Sequence, residues 1–373
     1  VAPVFAESNT VTLVSGIYSN SPSGVIVGFT GTNNSLTVQS AGVQNTTNTS
    51  AGGIMTEACF NAATVTGAGS TWSSGAGLYV GGYGSFNRLT IAAGGRVLVS
   101  NIAFMAMDPV SSNNTMLITG SGSAFIVPTS REIDIGYAGS GNSVTISNSG
   151  SLAAGQVSIG MAATASRNSL LVYGGTVTAN YVYVGDEGGY SNRLLLSGAG
   201  ALLCVSNTLA CGVSGRAGRM EILDGARAEN GWGQIGWELG SDSNIVVVSA
   251  STWSNRNDLY LGFRGSYNTL VVTNGGKVYS RGWTAIAGDS NSAGNTAIVT
   301  GPGSAWVTTN EFRVGHNGSS NRLEIRDGAS VSNGWSTHVG DSATAHGNSA
   351  LVTGTNTRWV IRETFRIGEY SAG

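Results

Sequence analysis

The side chains able to do chemistry are few. The histidines are His316, His338 and His346, and no Gly-x-Ser-x-Gly elbow lies on a strand-to-helix turn, so a nucleophile triad has nothing to assemble from. His316 follows Val314-Gly315 and His338 precedes Val339-Gly340, which predicts one corner row, one turn apart. Two histidines fall short of the ligand set that tetrahedral zinc needs, and both read as exposed corner residues. Asp186-Glu187, Asp289, Asp341 and Glu369 each follow a recurrent glycine. Asp341 and Glu369 would lie about 5 Å apart if one turn separates them, near enough for a general acid and its partner in hydrolysis or elimination on a polysaccharide. The same position holds Phe29, Tyr137, Met161, Trp237 and Phe263 in other turns, which marks it as outer, solvated surface. Calcium nonapeptides and phosphate loops are absent. No catalytic residue, cofactor or metal ligand is assigned, and the expectation is a protein that is not an enzyme.

Two aromatics offer a different chemistry. Trp237 and Phe263 are expected on successive turns of the outer corner, where stacked rings could contact a glycan or another protein, or cover the wall beneath a neighbouring loop.

What positions all of these is a repeat. Asn87-Arg88-Leu89-Thr90-Ile91, followed by Gly94-Gly95, returns at Asn192, Asn268 and Asn321 with the same alternation. Weaker copies complete a series at Asn9, Asn34, Asn61, Asn87, Asn114, Asn142, Asn168, Asn192, Asn244, Asn268, Asn295, Asn321 and Asn348. One rung is missing, at Gly218. The spacing averages about 26 residues and stays between about 24 and 28, a period that marks a repeat architecture. Each unit alternates apolar and polar residues with period two, as strands do. The chain is therefore predicted to be all-β: a single-stranded parallel β-solenoid of about 14 coils, continuous over residues 1–373. Asn would then stand above Asn at about 4.8 Å, and stacked amides bond along such a column.

Composition agrees. Glycine is high at 57 residues, proline low at 5, and charged residues make up 10%. The net charge of −2 points to no nucleic acid, and no run is long enough to insert in a membrane as a helix. Val1 opens the chain without Met, which reads as a processed product. Cys59, Cys204 and Cys211 are odd in number and form no metal or disulfide pattern, so buried structural thiols are expected.

A second anchor keeps the phase. An apolar residue then glycine recurs at Val80-Gly81, Ile135-Gly136, Leu261-Gly262 and Val314-Gly315 among others, fitting a corner with positive φ or close backbone approach. In one turn, strands are predicted at Arg88 to Ile91, around Val97 and Val99, and near Ile102 to Met107, giving three faces. A two-turn rhythm places an aromatic after Gly-x-Gly-Ser at Trp72, Phe125 and Trp306, with looser forms at Trp253 and Trp359. These are expected to fill a corner, the indole N–H finding a carbonyl.

The composite pattern of Gly-Ser-x-Asn-x-Leu-x-Ile, Gly-Gly-x-Val, Ile-Gly and Val-Thr-Gly-x-Gly-Ser-x-Trp resembles the repeat of type V secretion and PEP-CTERM surface proteins, akin to autotransporter passengers. Residues 83–97, 134–151, 263–278 and 299–328 carry the closest matches. The resemblance implies a right-handed β-helix, exported by a bacterium and displayed at the cell surface or released from it. It brings no catalytic motif, and neither a membrane barrel nor a Pro-Glu-Pro sorting tail is present in the sequence.

Neither end reads as a cap. Phe365, Ile367 and Tyr370 precede the place where an Asn strand should follow, and Asn9, Val11 and Leu13 form such a strand. Head-to-tail joining is one expectation, with residues 1–7 as an added junction strand. A slice of a longer protein is the other. The function expected is structural: an extracellular rod, as a filament subunit or the stalk of an adhesin. The alternative is a module that binds or degrades polysaccharide.

Overall fold

The computed structural model describes residues 4–5, 11–21, 25–27, 31–46, 49–51 and 58–368. The described chain is all-β, a parallel β-solenoid of about 13 turns of about 26 residues, without helix. It divides into two units, Val1–Tyr181 with Gly200–Leu202 and Val182–Ala199 with Leu203–Gly373. The strands that follow the Asn series form one sheet of 14, seven in each unit, and we call their side of the coil the first face.

In the first unit one turn is made of Arg88–Ala92, Arg96–Val99 and Ala103–Met105, the three strands expected. Leu89, Ile91, Val97, Val99 and Met105 point into the core, and the residues between them point out. Successive turns pair in parallel without slippage. Val14, Val38, Val65, Ile91, Ile118, Ile146 and Val172 form one column along the first face. Like side chains must recur because each packs on its own equivalent, and β-branched residues fit a pleated surface best.

One register differs from the sequence-based expectation. Counting from Asn9 puts Val11 and Leu13 inside. In the structure Val14 pairs with Val38 and is buried, while Leu13 is 57% exposed. The core column fixes the register, and in a strand a one-residue shift exchanges the two faces.

The second unit repeats the design. Leu196, Ile222, Val248, Val272, Val299, Ile325 and Val352 form its first-face column. On the second face the inward column reads Ala228, Trp253, Val278, Trp306, Val331, Trp359. Large and small side chains alternate turn by turn, which is the physical origin of the two-turn rhythm: an indole over every second turn fills the volume its slimmer neighbours leave. Trp306 meets Phe312 of its own turn edge-on, with ring centroids 4.9 Å apart.

The corner before each Asn is sharp. Phe86 and Tyr267, which immediately precede Asn87 and Asn268, sit at φ 59° and 57°. A left-handed residue here costs about 1 kcal/mol, and the hydrogen bonds of the following Asn hold it in place.

Candidate functional site

The most extensive arrangement of polar side chains is the amide column. In the first unit Asn34, Asn61, Asn87, Asn114, Asn142 and Asn168 are fully buried. Asn114 Oδ1 accepts from Asn87 N at 2.9 Å and Asn87 Nδ2 at 3.1 Å, while Asn114 Nδ2 donates to Asn142 Oδ1 at 3.1 Å and to Gly84 O at 3.0 Å. In the second unit Asn192 is buried, and Asn244, Asn268, Asn295, Asn321 and Asn348 bond in the same two-pronged way. At the missing rung Gly218 N donates to Asn244 Oδ1 at 2.9 Å, so the backbone half of the bond survives. Asn9 lies outside the described residues.

The apolar-glycine anchor is the other half of this device. A Cβ on Gly262, at φ +70°, would fall 2.4 Å from the Asn295 amide; on Gly81 it would fall 2.2 Å from that of Asn114. In these turns the next turn's Asn lies against the glycine Cα, and both reasons expected for it, φ and close approach, operate together, whereas Ala106 and Ala287 take the same position at φ 53° and 63° in two other turns.

Two of the three histidines and one carboxylate do come together, within the second unit. Asp341 Oδ2 lies 2.8 Å from His316 Nδ1 and 3.0 Å from Arg313 Nη1, and Asp341 Oδ1 lies 2.9 Å from His338 Nδ1. Arg313 also bonds Glu311 at 2.5 Å and lays its guanidinium over the Trp283 ring, 4.6 Å from the centroid. Burial would raise the Asp341 carboxyl, but the His316 hydrogen bond and the charges of Arg313 and His338 outweigh it and hold it below the usual carboxylate range. The expectation of exposed histidines is thus corrected: His338 is buried and His316 only partly exposed. Arg313 and His338 are register partners on the third face, so both reach the carboxylate that follows Gly340. A carboxylate beside Arg313, His316 and His338 and held below the usual range stays ionised, the opposite of what a general acid needs. Glu369, its expected partner, lies outside the described residues, as does Phe29.

Trp237 and Phe263 are on successive turns, stacked with centroids 4.3 Å apart and planes 15° from parallel. Tyr260 meets both edge-on, and burial, then Asp258, pushes its hydroxyl up to about 12. A Cβ on Gly288 would fall 2.5 Å from the Phe263 ring. Each ring thus gives one face to the other, and Phe263 also lies against the next turn's backbone, so those faces are not offered to a sugar. Trp72, Phe125, Trp253 and Trp306 are fully buried and offer no face either. Trp253 Nε1 donates to Asn230 Oδ1 at 2.7 Å, a side-chain amide and not the backbone carbonyl expected; Trp72 and Trp306 Nε1 meet no protein acceptor among the described residues.

Among the thiols only Cys211 is fully buried, and burial pushes it up to about 12. Cys59 and Cys204 are half-buried, contrary to expectation, and none of the three forms a disulfide among the described residues. Phe365 and Ile367 lie on a strand paired with Thr337–Val339. Val4–Phe5, within the segment expected to bridge a junction, pairs with Val25–Ile26 of the same chain. Tyr370 and the Val11 side chain lie outside the described residues. One set of surface residues escaped the sequence reading: Trp232, Trp283 and Trp335 are exposed at the corner between the second and third faces. The Gly-Trp pairs at 231–232, 282–283 and 334–335, two turns apart, are the signal that marks them.

No family model matches the chain, and no curated protein matches it in sequence. In structure the chain is similar to a crystal structure of a TibC-catalysed, hyperglycosylated fragment of TibA, residues 55–350. The TM-score is 0.43 and the identity 14%, over 96% of this chain and 98% of that one.

Proposed function

We propose that the chain is a structural element of an exported protein, a stiff β-solenoid rod serving as a spacer at or outside the cell surface. The observation that carries this reading is the buried amide column. Its side chains are the most regular polar groups in the molecule, and they bond turn to turn inside the wall instead of facing a ligand. The Asp341 cluster supports it, since the half-buried Asp341 carboxylate already has three neighbours, Arg313, His316 and His338. The resemblance to exported surface-protein repeats supports placing it outside the cytoplasm.

A subunit of a head-to-tail filament and the stalk of an adhesin are two settings for such a spacer. Sedimentation across a wide concentration range separates them: a filament subunit grows with concentration and a stalk stays monomeric. The spacer role itself is tested by small-angle X-ray scattering of the purified chain. The expected curve has a rod-like regime and a radius of gyration well above the roughly 21 Å of a globular protein of this length. A radius near that value overturns the proposal.

A further inference from the structure

The second unit carries a channel that the spacer role does not require. Two adjoining depressions of about 430 Å³ and about 390 Å³ meet at Thr309, on the corner between the second and third faces. They run across the strands from Arg227–Asn230 to Arg358–Ile361, five turn-to-turn steps, or roughly 24 Å at 4.8 Å each.

Its charges are unbalanced. The residues before Arg256 and Arg281, Asn255 and Ser280, are register partners, so the two guanidiniums start from consecutive turns. Both are exposed, and neither forms an ion pair among the described residues. Arg256 Nη2 is fixed to Val205 O and Ser206 O, each at 3.0 Å, which leaves its other N–H groups unused by those bonds. The one carboxylate lining the channel, Glu229, is already held by Arg227 at 2.5 Å. Arg362 adds a further positive charge at the far end. Like charges on neighbouring strands are destabilising, and here they sit in a chain whose net charge is −2. An anion between them would turn that repulsion into two charge-assisted contacts.

Aromatic rings share the channel. Tyr279 projects from the strand beside Arg281 and is 36% exposed, and Trp335 lines the adjoining depression. Guanidiniums for carboxylates, rings for apolar sugar faces and an open trough along the turns suit one class of ligand. We propose that this channel binds an extended acidic polysaccharide of the polyuronate type, laid along the stack of turns. The charges are too sparse for nucleic acid, whose binders show dense basic stripes and a high pI, against about 5.9 for this chain.

The test is titration of the intact chain with polygalacturonate, with dextran as the neutral comparator and single-stranded oligothymidylate as the competing polyanion. Binding to polygalacturonate that weakens with added salt is expected, with no response to dextran. Arg281→Ala and Tyr279→Ala should each weaken it about tenfold, whereas Arg322→Ala, on the first face of the same unit, should leave it unchanged. Both channel side chains are exposed, and unchanged melting temperatures will show that the variants fold. Absence of binding overturns the proposal. So does equal binding by Arg281→Ala and the parent, equal loss in Arg322→Ala, or retention of dextran or oligothymidylate as tight as that of polygalacturonate. None of these outcomes bears on the spacer role, which the scattering curve decides separately.

Discussion

Each buried Asn works because an amide carries both a donor and an acceptor. Asn268 Oδ1 accepts from Asn244 N and Nδ2 at 2.9 and 3.0 Å, and its Nδ2 donates to Asn295 Oδ1 at 3.1 Å. Asn268→Ala leaves Asn244 N without its acceptor and takes one bond each from Asn244 Nδ2 and Asn295 Oδ1, which keep others to Gly215, Ser241 and the Asn268 backbone. With about 1–3 kcal/mol for the buried orphan and about 1 kcal/mol for the lost bonds, the expected loss is about 3 kcal/mol. Asn268→Asp keeps the shape but sets a carboxylate oxygen against Asn295 Oδ1, so the loss at neutral pH should be larger. It should shrink as pH falls, since a protonated carboxyl can donate again. Urea unfolding at several pH values measures both, and a loss below about 1 kcal/mol in either variant would show that the column contributes little. Asp341 sets the opposite trend in the parent. Its folded-state carboxyl lies below the usual range, so its contribution is complete above the unfolded value, about 3.9, and disappears as pH falls through the folded one. Asp341→Asn should flatten the acid limb of the stability profile, and an unchanged limb would mean that other carboxylates govern it.

At the scale of the strand and corner, the controlling fit is between glycine and the Asn one turn on. Gly262 and Gly275 have nearly the same φ, +70° and +76°, yet a Cβ on Gly262 would collide with Asn295 while one on Gly275 meets nothing within 4 Å. Gly275→Ala should cost only left-handed strain, about 1 kcal/mol. Gly262→Ala adds a displaced Asn295 and should cost about 3 kcal/mol or more. Equal melting temperatures in the two variants would reduce both glycines to a matter of φ. This corner was legible in the sequence because two anchors, Asn and apolar-glycine, recur in one phase with few exceptions, Gly218 at the first and Ala106 and Ala287 at the second. The three strands of each turn were legible for the same reason. The partners of Asp341 were not: Arg313, His316 and His338 are joined by register between turns, and register is written in the packing columns, not in the spacing of the charged residues themselves. Leu13 shows the limit from the other side. Its strand follows the core column through Val14 and not the nearest Asn, because burial of a valine outweighs the count from a turn residue.

At the scale of the molecule, repetition decides how damage spreads. Strand pairing joins each turn only to the turns before and after it, and a few side chains such as Arg256 reach two turns away, so stability is close to a sum of turn terms and neighbour terms. A defect at Asn114 should then loosen the strands it joins and little beyond. Asn114 is the last residue before Thr115–Thr119, which lies between Arg88–Ala92 and Ser143–Ser147. For Asn114→Asp we expect amide exchange to accelerate most in these three strands, less in Ala62–Thr66, and hardly at all in Ser35–Gln39, three turns away. Mass-spectrometric hydrogen exchange on peptides covering each strand gives this profile directly. A uniform loss of protection across the first unit would mean that its turns open as one cooperative body. The distinction matters for a spacer. If opening stays local, a turn can loosen while its neighbours hold their stacking, and the chain transmits length even when one rung has failed. Gly218 is a natural case, an Asn-less rung whose backbone N–H keeps half the bond to Asn244. Its flanking strands, Arg193–Ser197 and Ile245–Ser249, should exchange faster than Thr269–Thr273 in the parent protein, with no substitution made.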